Sequence, residues 1–494
     1  MAPELNRRLT QQDASFLYLE RPNQPMHGVG VAVYDGHLSL DDVIRVTEER
    51  LHLMPRYRQK LVFPPYLLTH PTWEDDPDFD IRNHITEETL PPPGDDRALA
   101  AAAARYLVPP LDRSRPLWKM VVVQGHADGN TAVFSMVHHA MIDGVSGVDL
   151  MLVTHDLTPE AEPPPPPPAP WQPATIPDQL TLLQDAVRDQ LIEQAERWTD
   201  ETFGRYRPHE AAERAQRINN AVAASMPGIL QPAPRMPFNG AVTTQRAVSW
   251  ASFSFAEVRG IRSVLGGTVN DVVLAVITGA LGAYLRRHNI PTPGLELRAM
   301  CPVSMRAAEG HGALGNQVSM MIAPLFVGIA DPVERIRAER TAMERLKAQD
   351  QAGGFYAMTS QPNTTPAWVQ AWAGQFETQQ TMLNTVSTNV PGPQIPLYLA
   401  GHKLLASFGF GMLSANIGLF NAIGSYNQML TIGATVDPTM VPDVWFYAEC
   451  LERSFAELRD AAQRVAEAAE ASAGNGAKAD GQRSREKTGA KASR

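Results

Sequence analysis

Val137-His138-His139-Ala140-Met141-Ile142-Asp143-Gly144 is the stretch on which the reading of this 494-residue chain turns. A β-rich run, Thr131 to Val137, feeds two adjacent histidines, and Gly144 to Leu152 then has the spacing of a helix. On a strand, neighbouring side chains face opposite ways, so His138 and His139 cannot both address one substrate. One should face a cavity and the other should be held in its wall. If the turn after them is helical, His139 and Asp143 lie one turn apart. A neutral imidazole with a pKa near 6.5 suits removal of a proton from an alcohol. Metal binding through His138, His139 and Asp143 is the competing reading. No third strong ligand cluster accompanies them, so no metal is expected. No serine sits in a GxSxG elbow, and no Walker or Rossmann glycine pattern is present.

Working outward, Leu117 to Gln124 and Thr131 to Val137 read as a hairpin across Asp128-Gly129. Val29 to Tyr34 alternates like a strand, and Leu40 to Met54 has helical spacing behind Ser39 and Asp41. The proline tract Pro163 to Pro168 can be neither helix nor central strand and predicts a stiff spacer. After it, Leu180, Leu183, Val187, Leu191, Trp198 and Phe203 recur at helical spacing. That stripe predicts a helix packed on the core, with a membrane-surface helix as the alternative. The boundaries that follow are 1–160 for a first α/β domain, 161–176 for the linker and 177–246 for a helical connector. A second α/β domain occupies 247–455, and 456–494 holds a helix end and a disordered basic tail, Ala471 to Arg494.

Composition, with 44% hydrophobic and 19% charged residues, is in the range of a folded soluble protein rather than a disordered one. A net charge of −10 argues against general nucleic-acid binding. Two distant cysteines, Cys301 and Cys450, give neither a disulfide framework nor a metal clip and point to the cytoplasm. The most apolar run, Val318 to Ala330, falls short of the roughly 20 residues that span a bilayer, so any membrane contact is expected to be peripheral.

The octapeptide matches HHxxxDG, and the chain resembles the bacterial wax ester synthase/diacylglycerol acyltransferase family from near its start to about residue 453. The resemblance rests on order and spacing. Gln12-Asp13-Ala14-Ser15-Phe16, Pro25-Met26-His27 and Pro116-Leu117-Trp118 precede or flank the motif. Asn270-Asp271-Val272-Val273-Leu274, Leu314-Gly315-Asn316, Thr388-Asn389-Val390-Pro391-Gly392-Pro393 and Ser425-Tyr426-Asn427 follow it. The resemblance implies two chloramphenicol-acetyltransferase-like α/β sandwich domains with a tunnel between them. It implies His139 as general base, with His138, Asp143 and Gly144 shaping the site, Asp143 through an ion pair.

The expected reaction is direct transfer of a long-chain acyl group from acyl-CoA to diacylglycerol, to a fatty alcohol, or to both, with no cofactor beyond the acyl-CoA co-substrate. Peripheral contact with a membrane or lipid inclusion follows from the insolubility of such products. Asn270 or the Thr388-Asn389 pair would support the oxyanion. Asn270 and Asp271 equally fit a helix cap, and Val390 to Pro393 a rigid turn. Pro116, Leu117 and Trp118 either line a hydrophobic channel or anchor the core. Lys119, where the family more often has an acid, and Gln428, at an often small position, depart from the pattern. A relative acting on a polyketide or glycolipid alcohol, and a non-catalytic acyl-CoA binder, are the alternatives.

Overall fold

The computed structural model describes residues 7–141, 147–202, 213, 215–216, 219, 231–304, 318–359, 367–375 and 379–489. The first part of the chain carries α1 (Gln11–Leu19), β1 (His27–Tyr34), α2 (Leu40–Arg50), β2 (Gln59–Val62), β3 (Thr72–Asp75), β4 (Ile85–Thr89), α3 (Asp96–Tyr106), β5 (Trp118–Gln124), β6 (Thr131–His138) and α4 (Gly147–Thr154). The second carries α5 (Gln179–Thr202), β7 (Ala247–Ser254), α6 (Phe255–Leu265), α7 (Val269–Arg287), β8 (Leu297–Ser304), β9 (Val318–Leu325), α8 (Pro332–Ala348), α9 (Gln351–Thr359) and α10 (Ala367–Gly374). It ends with β10 (Thr385–Pro391), β11 (Tyr398–Leu399), β12 (His402–Phe410), β13 (Leu419–Tyr426), β14 (Met429–Val436) and α11 (Val444–Gly489).

Local chemistry explains the elements nearest the histidines. Ser39 caps α2 by accepting from the Asp42 amide, with Asp41 and Asp42 in the first turn and Arg50 in the last. Gly129 takes a positive φ of 72° in the β5–β6 connection, which a side chain would strain. The hairpin forms as the sequence predicts, with Trp118 opposite Val137.

Two six-stranded mixed sheets result, ordered β11-β12-β1-β6-β5-β4 and β7-β14-β13-β10-β8-β9. Alternation of β1 sends Val29, Val31 and Val33 to one face, where they pack with Phe134, Val121 and the alanine row of α3. The opposite face meets α1 and α2 through Tyr34, Val122, Val133, Leu17 and Val43. In the second sheet the central covering element is α7, apolar on all sides and buried almost throughout. It has the length and composition of a membrane span, yet 78% of that window is buried within the fold.

Four expectations need correction. The first half of the α5 stripe does not pack on the core: Leu180, Val187 and Leu191 are 63%, 43% and 61% exposed, and the helix seats itself through Leu182 and Ala186 instead, while Trp198 and Phe203 lie outside the described side chains. Helical spacing locates a face but not which partner covers it. The cap of α7 is Thr268, whose hydroxyl accepts from the Asp271 amide while Asp271 returns a bond to the Thr268 amide. Asn270 therefore lies inside the first turn. Val390 and Pro391 are the end of β10, not a turn. Helix α11 continues to Gly489, past Ala471 where a disordered tail is expected, because Ala, Glu, Lys and Arg are strong helix formers.

The division at 161–176 coincides with an exposed stretch without regular structure. Strands β11 and β12, from within 247–455, nevertheless complete the first sheet, β12 pairing antiparallel with β1 from Val29–Phe410 to Tyr34–Leu404.

Candidate active site

The two histidines fall at the point where strand gives way to turn. His138 is the last residue of β6 and is fully buried; His139 begins a 3-10 turn, His139–Met141. Both backbone amides are held by neighbouring segments, His138 N–H by the Leu117 carbonyl at 3.0 Å and His139 N–H by the Met26 carbonyl at 2.9 Å. His138 is thus the wall residue. Its Nδ1 accepts the Ala140 amide at 3.0 Å, which leaves the proton on Nε2, 3.2 Å from Oε1 of Glu20.

Glu20 is the residue that the motif does not announce. Its side chain is 4% exposed, and Oε1 also accepts the Met26 amide at 3.0 Å. Arg113 closes on Oε2 through Nη2 at 2.8 Å and Nε at 3.2 Å, and its Nη2 also reaches the Leu17 carbonyl at 2.7 Å. Burial alone would push the Glu20 carboxyl up. The close approach of His138, the Met26 amide and Arg113 outweigh burial and hold the carboxyl down at about 2. It is an anion under all working conditions.

His139 is partly exposed, with its ring against Phe16 of α1 at a centroid separation of 5.1 Å. Burial, then the charges of His138 and His27, lowers its pKa to about 4. At neutral pH the imidazole is the free base. His27, opposite His138 across β1 and β6, donates from Nε2 to the Tyr106 carbonyl at 2.8 Å; burial foremost lowers its pKa too. The buried side chains of His27, His138 and Glu20 and the partly exposed His139 and Arg113 therefore share one frame.

Asp143 and Gly144 lie outside the described residues, as does Leu314-Gly315-Asn316. Among the described residues no group of three His, Cys, Asp or Glu gathers to hold a metal. In the second half, Asn389 of β10 donates from Nδ2 to Oδ1 of Asn270 at 3.3 Å, joining two of the expected support residues. Thr388 alternates to the other face of β10. No hydrogen bond among the described residues joins this pair to the histidine frame. Asp271 works within the α7 cap.

Pro116, Leu117 and Trp118 are buried, the last two in the core beside β6. The Trp118 indole donates to the Tyr57 carbonyl at 2.8 Å and stacks on His84 at 4.5 Å, so this segment is an anchor. Lys119 places its ammonium over the Tyr106 ring, 5.6 Å from the centroid. Gln428 has a φ of 66° in the tight turn between β13 and β14. Gly392 has a packing reason: a Cβ there would sit 2.1 Å from the Ser425 carbonyl oxygen.

Residues 9–273 match the family model described as the wax ester synthase/diacylglycerol acyltransferase catalytic domain, and residues 314–459 match the C-terminal domain of the same family. A candidate diacylglycerol O-acyltransferase of Mycobacterium tuberculosis is 31% identical over 479 residues, covering 93% of this chain and 98% of the relative. The chain belongs to the wax ester synthase/diacylglycerol acyltransferase family, and it is an acyltransferase. The family's enzyme from Marinobacter aquaeolei VT8 has a similar fold, with a TM-score of 0.62 and 24% identity over 92% of this chain and all of that one. The starter condensation domain of rhizomide synthetase, solved with C8-CoA, is similar at a TM-score of 0.54 and 12% identity, covering 92% of this chain and 94% of that domain. These likenesses bear out the expected pair of acetyltransferase-like α/β domains.

Proposed function

We propose that this acyltransferase moves a long-chain acyl group from acyl-CoA directly to the hydroxyl of diacylglycerol, a fatty alcohol, or both, with His139 as general base. The observation that carries the reading is a free-base imidazole seated on a turn whose backbone is fixed on both sides. His139 takes the hydroxyl proton as the oxygen attacks the thioester carbonyl. The tetrahedral oxyanion then collapses, expelling the CoA thiolate, which recovers the proton from the imidazolium. A thioester is already a reactive donor, so holding both substrates in line with the base supplies much of the acceleration. Asn270, Asn389 and Thr388 are assigned to the oxyanion and substrate side. His138 shapes the site, and Asp143 and Gly144 are assigned the same role.

The two substrates enter a tunnel between the domains from opposite sides, and no cofactor is needed beyond the acyl-CoA. The name of the Mycobacterium tuberculosis relative supports diacylglycerol as acceptor, and the C8-CoA in the condensation-domain structure supports an acyl-CoA donor. The protein is assigned to the cytoplasm, and the exposed apolar row of α5 supports its resting peripherally on membrane or lipid inclusions.

The test compares wild type with His139→Ala on palmitoyl-CoA and either hexadecanol or a diacylglycerol, following thiol and ester together. Ester from the wild type and almost none from a folded variant is the expected result, and the preferred alcohol sets the acceptor. Full activity in the variant would overturn the base assignment. Thiol release with neither alcohol but with a polyketide or glycolipid alcohol would overturn the acceptor class.

A further inference from the structure

We infer that Glu20, gripped by Arg113, is the positioning residue that aims the base; the inference rests on the assignment of His139. Three segments must meet for His139 to point correctly, and Glu20 touches all of them. It is the C-cap of α1, the helix whose Phe16 ring lies against His139. It accepts the amide of Met26, and the carbonyl of the same residue receives the His139 amide. It faces Nε2 of His138, whose other nitrogen accepts the Ala140 amide and so closes the turn on which His139 stands.

The donor count explains why a carboxylate is required. Oε1 accepts the Met26 amide and lies 3.2 Å from Nε2 of His138, and Oε2 meets the Arg113 fork. A glutamine at position 20 has the same shape, but its NH2 must face either Arg113 or that pair of donors. Donor would meet donor inside a buried site, where an unmatched polar group is costly. The way out is a change of His138 tautomer, which removes the acceptor for Ala140 and loosens the turn. Arg113 offsets the burial of the anion, and its second bond to Leu17 ties that charge to α1. The clamp is built from an acid and a base 93 residues apart.

The experiment measures kcat and KM for palmitoyl-CoA in Glu20→Gln, Arg113→Lys, His139→Ala and Glu20→Gln/His139→Ala. Melting temperatures and the long-range nitrogen–proton spectrum of the histidines are recorded for each. A positioning role predicts that Glu20→Gln lowers kcat about 100-fold with KM within about two-fold, since a small misplacement of a base costs that much. The His138 ring nitrogens would exchange protonation, and the double variant would be no slower than His139→Ala alone. Arg113→Lys, which keeps the charge and loses the fork, would show the same split more weakly and serves if Glu20→Gln does not fold. An inactive His139→Ala beside fully active Glu20→Gln would overturn the inference and leave the base standing. A further fall in the double variant would overturn it as well, since Glu20 would then act other than through His139. Active His139→Ala would instead overturn the base assignment itself.

Discussion

The low pKa of His139 makes a sharp prediction about acid. Its value falls from 6.5 to about 4 because burial disfavours the imidazolium and the charges of His138 and His27 oppose it further. That shift amounts to roughly 3 kcal/mol against protonation. At pH 5.5 an ordinary histidine is only about 9% free base, whereas a group titrating near 4 is about 97% free base. The perturbation is pH alone, stepped from about 4.5 to 8, with the formation of radiolabelled palmitoyl ester followed at saturating donor. Saturation removes titration of the free CoA phosphate from the profile, and intrinsic fluorescence after return to neutral pH shows whether the fold survived. The rate at pH 5.5 should stay above about nine-tenths of its neutral value, with the acid limb appearing only toward pH 4. Between 6.5 and 4 the unfolded chain takes up a proton that the folded site refuses, so stability declines across that window as pH falls. A limb centred near 6.5 would refute the reasoning, because the base would then be solvated and uncoupled from its neighbours.

Glu339 of α8 gives the opposite sign. Fully buried, its carboxyl is raised to about 8 by burial, against the opposing influence of the Thr278 hydroxyl and the charge of Arg335. The fold holds a proton that the unfolded chain loses above its ordinary range, so stability should fall as pH rises from about 4.5 to 8, by on the order of 2–4 kcal/mol. Glu339→Gln should flatten that slope in denaturant melts at pH 6 and 8.5; an unchanged slope would sink the assignment. Asn389→Ala removes the donor to Asn270. If the pair supports the oxyanion, kcat drops about 10²–10³-fold with KM for palmitoyl-CoA nearly constant, whereas a change confined to about 1 kcal/mol of stability would leave it a packing contact.

Local signals carried the reading a long way in the first half. Asp128-Gly129 announced the β5–β6 hairpin, Ser39 announced α2, and the paired histidines marked the end of β6. What stayed hidden had long-range causes. Glu20 lies between Phe16 and Pro25, the ends of two motif pieces, yet nothing nearby in sequence says that a carboxylate at a helix end will be buried against His138; its partner Arg113 stands in an irregular loop. A polar residue excluded from water is legible only once its partners are placed. Thr268 stands one position before the observed start of α7, and its Thr-x-x-Asp spacing is a capping signal in the sequence itself, nearer the helix end than Asn270 and Asp271 suggest. The apolar row of α5 carried the right period but gave no information about what would cover it. The entry of β12 into the first sheet has no local signature, because pairing partners in a sheet are chosen by the whole fold.

That last pairing imposes an order on biosynthesis. β1 emerges from the ribosome with residue 34, but its neighbour on the β12 side is not made until residues 402–410. Until then one edge of β1 presents unmatched amides and carbonyls beside an apolar face, the sort of template on which nascent chains associate with one another. The same wiring means that a cut at the proline tract would not release a finished half-enzyme: the leading fragment would lack the two strands, β11 and β12, that make one end of its own sheet. Supplying 398–410 in trans as a peptide should restore its solubility, as donor strands do wherever a sheet is completed by a segment from elsewhere.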